Sequence, residues 1–305
     1  MSKEKIIFMG SPDYAVPALK MLQANFNLVA VITQPDQPVG RGKKIQAPPV
    51  KTAAQELRVA VYQPVKARGP EFMALLENLA PDVMVVAAYG NILREDVLEF
   101  PPFGCLNVHA SLLPRWRGAS PIQNAILHGD KESGVTIMKM DKGIDTGSIF
   151  QMQAVAIEAD DTAGTLTEKL AAAGAELLGE VLPRYLAGEI RAKPQPEEGA
   201  TYAHMLKKED GWMDFSKTAL ELERQVRAFN PWPICYMEWK DQPLRVLRAE
   251  VTNKKSNNPG QHTIVDKFPC VSTADADLKL VEVQPAGKRP MRGSDFLNGA
   301  RDWSD

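Results

Sequence analysis

Three side chains in the sequence have the types and the spacing for acyl-transfer chemistry. Asn107 and His109 stand two apart at the end of the apolar run CLNVHA, and Asp145 follows in the turn-rich DKGIDTG. In a strand, residues two apart project from the same face, so the amide and the imidazole would point together. Such a pair can hold a carbonyl whose oxygen becomes negative. The amide donates to the oxyanion, and the imidazole donates or shuttles a proton. The plainer reading of an isolated Asn-x-His is a strand end whose His caps a backbone carbonyl. A carboxylate alters the weighing, because a general-acid His needs a partner to fix its tautomer and favour its charged form. Asp145 is the candidate. Gly143 and Gly147 flank it, so the backbone could turn sharply and carry the carboxylate inward. An ordinary turn Asp is the alternative.

Positioning these groups calls for a scaffold, and the sequence supplies one. Strand-like runs alternate with helix-like ones: KIIFMG then AVPALKMLQ, LVAVITQ then VKTAAQELR, VAVYQP then EFMALLENL, DVMVVAAYG then ILREDVLEF, and finally CLNVHA. That alternation predicts an α/β domain with a Rossmann-like parallel sheet, whose strand ends form the ligand crevice. Continuous apolar runs such as VMVVAAY fit strands buried on both faces. The amphipathic SPIQNAILHG, strands at GVTIMKM and SIFQMQAVAI, and a long helix at TLTEKLAAAGAELLGEVL complete the domain, with Pro183 and Gly188 marking the helix end. A catalytic domain over 1–190 is therefore expected. The Pro-, Gly- and Glu-rich stretch over 191–206 reads as a surface linker. From 207 to 305 a helix at TALELERQVRAF, the turn NPWP and several short strands suggest a small OB-like β-barrel.

Composition sets limits on function. The 305 residues carry a net charge of -2, and residues 191–305 hold 18 Lys and Arg against 17 Asp and Glu. Any polyanion contact must therefore come from local clusters. No apolar stretch reaches membrane-spanning length, the N-terminus does not read as a signal peptide, and a cytoplasmic protein is expected. Cys105, Cys235 and Cys270 form no paired motif and are expected to be reduced and structural. His128, His204 and His262 lack metal-ligand spacing, so no metal is expected. The first strand–helix turn, MGSPDYA, has one glycine where a dinucleotide fingerprint needs three, which disfavours nicotinamide chemistry.

Asn-x-His followed by SLLP, with a later Asp in D-x-G-x-D-T-G, resembles the 10-formyltetrahydrofolate-dependent formyltransferases. The resemblance extends through MGSPDYAVPAL, TQPDQPVGRGKK, APPVK, VVAAYGNIL, RWRGASPIQ, RAFNPWP and QPAGK, from residue 5 to about 300. Small departures are Ser11, Tyr14 and Ala110, where Thr, Phe and Gly are expected. The resemblance implies that Asn107, His109 and Asp145 are the catalytic trio. It also implies that Ser111, Leu112, Leu113 and Pro114 lie along the folate site, and that 10-formyltetrahydrofolate is the formyl donor. The acceptor it implies is the free α-amine of methionyl initiator tRNA. A monomer is expected.

The loop PDQPVGRGKKIQAPPVK holds Arg41, Lys43, Lys44 and Lys51 against Asp36, with Gly40 and Gly42 between them. On charge alone it reads as a solvated loop. The resemblance implies instead that Arg41, Lys43 and Lys44 engage the acceptor end of the tRNA. Arg245, Arg248 and the runs KKSNN and AGKRPMR are further phosphate-contact candidates. Arg115 and Arg117 could fix the neighbouring loop or meet acidic groups. Trp116 is open between packing and function, and Trp232 is expected as a packing anchor. Two competing readings are the same folate chemistry on a small amine, such as glycinamide ribonucleotide or an amino-sugar nucleotide, and a non-catalytic tRNA-binding module.

Overall fold

The computed structural model describes residues 3–39, 44–255 and 258–304. The first strands in chain order are β1 (Lys5–Gly10), β2 (Asn27–Ile32), β3 (Gln37–Val39), β4 (Lys44–Gln46), β5 (Val61–Tyr62) and β6 (Val83–Ala87). They are followed by β7 (Cys105–His109), β8 (Arg117–Gly118), β9 (Glu132–Lys139), β10 (Ile149–Ala156) and β11 (Tyr202–Ala203). The helices among them are α1 (Val16–Asn25), α2 (Pro49–Glu56), α3 (Pro70–Leu79), α4 (Glu95–Leu98), α5 (Pro121–Leu127) and α6 (Ala163–Leu186).

Seven strands form one sheet in the order β10-β9-β7-β6-β1-β2-β5. The five from β7 to β5 run parallel, as the alternating pattern predicts. β9 and β10 run antiparallel to their neighbours, so the sheet is mixed. For β9 and β10 the reason is connectivity, since the short loop that joins them cannot make the crossover that parallel pairing needs. β6 and β7 are buried along their whole length, consistent with cover on both faces. On one face Ile7, Met9, Met84 and Val86 pack with Phe72 and Leu76 of α3 and Val97 and Leu98 of α4. On β7, Val108 lies against Gly174 of α6, where an added methyl would sit 2.8 Å from the Val108 side chain. Val108 therefore faces the helix, and its neighbours Asn107 and His109 face the other way.

Helix α6 does not end at Pro183. Ala187 still donates to the Pro183 carbonyl at 3.0 Å, and the stop comes at Gly188, whose φ of +71° is left-handed. Proline lacks an N–H to donate backward, but its own carbonyl continues the ladder forward.

The chain divides into two compact units, the second comprising 122–131 and 157–166 with the residues from His204 onward. It contains α7 (Ala219–Ala228), β12 (Cys235–Trp239), β13 (Gln242–Lys255), β14 (His262–Val265), β15 (Phe268–Ser272), β16 (Ala276–Pro285), β17 (Met291–Arg292) and α8 (Gly293–Leu297). Its antiparallel sheet has the order β12-β13-β16-β15-β14, with β17 on β16. Three register shifts along the β13–β16 pairing let the 14-residue β13 twist. α7 starts in a capping box in which Thr218 accepts from the Glu221 N–H and Glu221 accepts from the Thr218 N–H. Trp303 is buried, stacks on His262 at 4.0 Å, and donates from Nε1 to the Thr263 and Cys270 carbonyls. His262 thus serves packing, and burial lowers its pKa. All three cysteines are free and buried. Burial pushes the thiols of Cys105 and Cys270 up to about 12 and about 11, and that of Cys235 higher still, so they are poor nucleophiles.

Asp277 is a buried carboxylate in this second unit. Burial alone would raise its pKa. Hydrogen bonds from Thr263 at 2.7 Å and Ser272 at 2.8 Å, with Lys254 at 3.0 Å, more than offset that and hold it below the ordinary value. A depressed folded-state pKa stabilises at pH above the unfolded value, and the contribution is lost as pH falls through the folded value. Acid unfolding of this unit should therefore steepen below about pH 4. Asp277→Asn should lower the neutral-pH melting temperature and flatten that acid limb; an unchanged pH–Tm curve would refute the assignment.

Candidate active site

Asn107, His109 and Asp145 converge on one side of β7. Asn107 and His109 are buried at 9% and 6% exposure. Asn107 donates from Nδ2 to Asp145 Oδ1 at 3.2 Å. Because its neighbour is a carboxylate, the amide must present its NH₂ there, and the second hydrogen of that group remains for a ligand. His109 Nδ1 stands 3.6 Å from Asp145 Oδ2, an ion-pair distance just beyond a direct hydrogen bond. Its Nε2 meets the Trp116 carbonyl at 3.0 Å, and since a carbonyl only accepts, Nε2 carries a proton.

The carboxylate is placed by local backbone geometry. Asp145 itself adopts φ +52°, whereas neither flanking glycine has a positive φ. The glycines are required for closeness instead: a methyl on Gly147 would run into the Lys139 carbonyl oxygen, and one on Gly143 into the Thr146 hydroxyl. Lys139 N–H donates to the Ser148 carbonyl at 2.8 Å and closes the neck of the loop. The Gly118 N–H then donates to Asp145 Oδ2 at 2.8 Å. A carboxylate accepting from an amide at one oxygen and from a backbone N–H at the other is held in one orientation.

The SLLP segment is a tight structural turn. Ser111 is buried and donates from Oγ to the Arg115 carbonyl at 2.6 Å. Thr136 of β9 donates to the Ser111 carbonyl at 2.6 Å and accepts from the Leu113 N–H at 3.2 Å. Leu113 is buried, Leu112 packs over Gly134, and Leu112 and Pro114 are half-buried. Tyr14, in the first turn, donates its buried hydroxyl to the carbonyl of Val108, the residue between Asn107 and His109. Burial drives that phenol well above its usual pKa.

Other sequence-based expectations sort by burial. Arg117 is 1% exposed, so it faces protein and not ligand. It donates to Gln195 Oε1 from Nε at 3.2 Å and Nη2 at 3.0 Å, and pairs with Glu197 at 3.3 Å. Trp116 is buried under Arg115, whose guanidinium lies 4.2 Å from the ring centre. The 191–206 stretch is mostly exposed, and hydrogen bonds tie it down. Lys193 exchanges hydrogen bonds with Ile149, β11 pairs with β8, and Gln195 Nε2 donates to the Asp145 and Gly147 carbonyls at 2.8 and 2.7 Å. Low periodicity concealed these bonds, because they run through backbone groups and one side-chain amide. Trp232 is 52% exposed and is not a packing anchor. Its turn is fixed by buried Phe229 and by Asn230, which donates to the Leu247 carbonyl.

In the basic loop, β3 and β4 pair antiparallel and Lys44 is exposed. Arg41 and Lys43 lie outside the described residues. Lys51 is neutralised by Asp36 at 2.8 Å, with Gln63 donating to the same carboxylate, so it is not a free cation for a polyanion. Arg248 likewise pairs with Glu250, and Arg245 donates to Gln284. No group of three or more His, Cys, Asp or Glu among the described residues is placed to hold a metal ion.

Two family models match the chain: Formyl transferase over residues 4–182 and Formyl transferase, C-terminal domain, over 205–301. The methionyl-tRNA formyltransferase of Myxococcus xanthus (strain DK1622) is 49% identical over 302 residues, covering 98% of this chain and 96% of its own. The chain belongs to the methionyl-tRNA formyltransferase family. The family member from Halorhodospira halophila (strain DSM 244 / SL1) is 47% identical over 300 residues, covering 97% of this chain and 96% of its own. Among solved structures, the N-formyltransferase from Helicobacter canadensis, solved with folinic acid and dTDP-3-aminofucose, superposes with a TM-score of 0.67. It covers 92% of this chain and 99% of that one at 21% identity, which shows a shared fold. Within this formyltransferase, SLLP and the trio fall inside the N-terminal family match, and the antiparallel sheet falls inside the C-terminal one.

Proposed function

We propose that the protein transfers the formyl group of 10-formyltetrahydrofolate to the α-amine of methionyl initiator tRNA, using Asn107, His109 and Asp145. The observation that carries the chemistry is the convergence of those three groups, with Asp145 3.2 Å from Asn107 and 3.6 Å from His109 in a largely buried cluster. Full-length likeness to relatives bearing the methionyl-tRNA formyltransferase name supports the acceptor.

In this reading the free amine attacks the formyl carbon. A C–N bond forms, and the carbonyl electron pair moves onto oxygen. An α-amine titrates near pH ~8, so a useful fraction is already nucleophilic and no strong base is required. The unused Nδ2 hydrogen of Asn107 donates to the oxyanion. Collapse expels N10 of the folate, which takes the bonding pair and a proton, while the new ammonium loses one. His109 is held at Nε2 by the Trp116 carbonyl, so Nδ1, beside Asp145 but not hydrogen-bonded to it, is the nitrogen that takes the proton from the ammonium and passes it to N10. Leu112 and Pro114 offer half-buried apolar surface to the folate, with Ser111 and Leu113 shaping the turn beneath. We assign residues 1–190 to catalysis, 191–206 to the connection and 207–305 to tRNA binding, in a cytoplasmic monomer. No helix among the described residues is long and apolar enough to cross a membrane.

The deciding assay mixes purified protein, 10-formyltetrahydrofolate and methionyl initiator tRNA, and measures N-formylmethionine beside an elongator tRNA and an amino-sugar nucleotide. Product on the initiator alone is expected; formylation of the nucleotide in its place would move the reading to a small acceptor. On the tRNA side, replacing Arg41, Lys43 and Lys44 together with Gln should raise KM for tRNA. It should also reduce the slope of log KM against log salt by roughly one per lost phosphate contact. A slope equal to wild type would remove the loop from the interface.

A further inference from the structure

We propose that Gln195, held by the buried Arg117, is a positioning residue for Asp145 and acts on formyl transfer only through it; this rests on the catalytic reading above. All four hydrogen-bonding capacities of the Gln195 amide are used. Its oxygen accepts from Arg117 Nε at 3.2 Å and Nη2 at 3.0 Å. Its nitrogen donates to the Asp145 carbonyl at 2.8 Å and the Gly147 carbonyl at 2.7 Å. The guanidinium can only donate and the two carbonyls can only accept, so the amide has one possible orientation. It bridges a fixed cation to the backbone of the loop that carries the carboxylate.

That loop needs outside support. Asp145 is a non-glycine residue at φ +52°, a conformation that persists when surrounding contacts over-determine it. β8 supplies the contacts from two adjacent residues. Gly118 bonds the carboxylate directly, and Arg117 reaches the loop backbone through Gln195. β8 is itself anchored, because Arg117 N–H donates to the Thr201 carbonyl at 2.9 Å and Ala119 N–H to the Ala203 carbonyl at 2.8 Å. The hydrogen bonds of the Gln195 amide go to Arg117 and to backbone carbonyls, and to no side chain of the trio. Its effect must pass through the position of Asp145.

Gln195→Glu is nearly isosteric and keeps an acceptor for Arg117, yet it turns an oxygen toward two carbonyl oxygens. Gln195 is partly exposed, so the fold should survive, which a thermal melt verifies. The experiment is a double-mutant cycle of Gln195→Glu and Asp145→Asn, with kcat and KM measured for methionyl initiator tRNA and 10-formyltetrahydrofolate. The expected result is a roughly 10- to 100-fold fall in kcat for Gln195→Glu, with both KM values within about twofold. In the Asp145→Asn background the same change should cost less than about threefold. Gln195→Met, which removes the donors without adding repulsion, should lie between wild type and Gln195→Glu. A kcat within twofold of wild type for Gln195→Glu, a loss confined to KM, or an equal loss in both backgrounds would overturn the proposal. Wild type failing to formylate, or Asp145→Asn keeping full kcat, would instead overturn the catalytic reading beneath it.

Discussion

Asp145→Asn is expected to lower kcat by roughly 10²–10⁴ while leaving both KM values close to wild type and the protein folded. The carboxylate accepts at one oxygen from Asn107 and at the other from the Gly118 N–H, with His109 Nδ1 3.6 Å from the second. An asparagine has one acceptor oxygen and one donor nitrogen. It can satisfy Gly118 or Asn107, and whichever is left faces an NH₂ group. It also removes the negative charge opposite the imidazole, so a protonated ring loses its partner at the moment it must deliver a proton. Both defects act on the transition state more than on substrate binding, which is why kcat and kcat/KM should fall together. Single-turnover formylation at saturating donor separates this from slow product release. A kcat within threefold of wild type would remove Asp145 from the mechanism.

Asn107→Ala should cost about 10²–10³ in kcat, equivalent to roughly 2.7–4 kcal/mol of transition-state stabilisation, the size expected for one lost oxyanion donor in a water-poor site. Burial at 9% places the amide where its hydrogen bond to a developing charge is not diluted by solvent. The ground-state formyl oxygen is a weaker acceptor than the oxyanion, so KM for 10-formyltetrahydrofolate should move little. Asn107→Ala also frees one Asp145 oxygen, and the combined Asn107→Ala/Asp145→Asn variant should therefore lose less than the product of the single losses. Strictly multiplicative losses would mean that the two side chains act separately.

Much of this architecture was legible one segment at a time. The alternating strand and helix patterns predict β1, β2, β6 and β7 with α1, α2 and α3, because burial on both faces leaves continuous apolar runs and covering helices leave a 3.6-residue period. The Asn-x-His pair was legible for the same reason, since strand geometry alone puts side chains two apart on one face. The antiparallel course of β9 and β10 was not, as a strand's residue pattern does not record the direction of its neighbour.

What the sequence by itself determined is the chemical inventory and its family: an amide, an imidazole and a carboxylate in motifs that run the length of a formyltransferase. What only the tertiary structure decided is how these groups are held. Gly147 is required by contact with the Lys139 carbonyl, while Asp145 takes the left-handed turn itself. Arg117 is buried under Gln195, and Lys51 is spent on Asp36. Each of these contacts joins atoms 8 to 78 residues apart in the chain. Such contacts are made by backbone groups and single side chains that leave no periodic trace, and burial, which separates a ligand-facing cation from a structural one, exists only once the chain has folded.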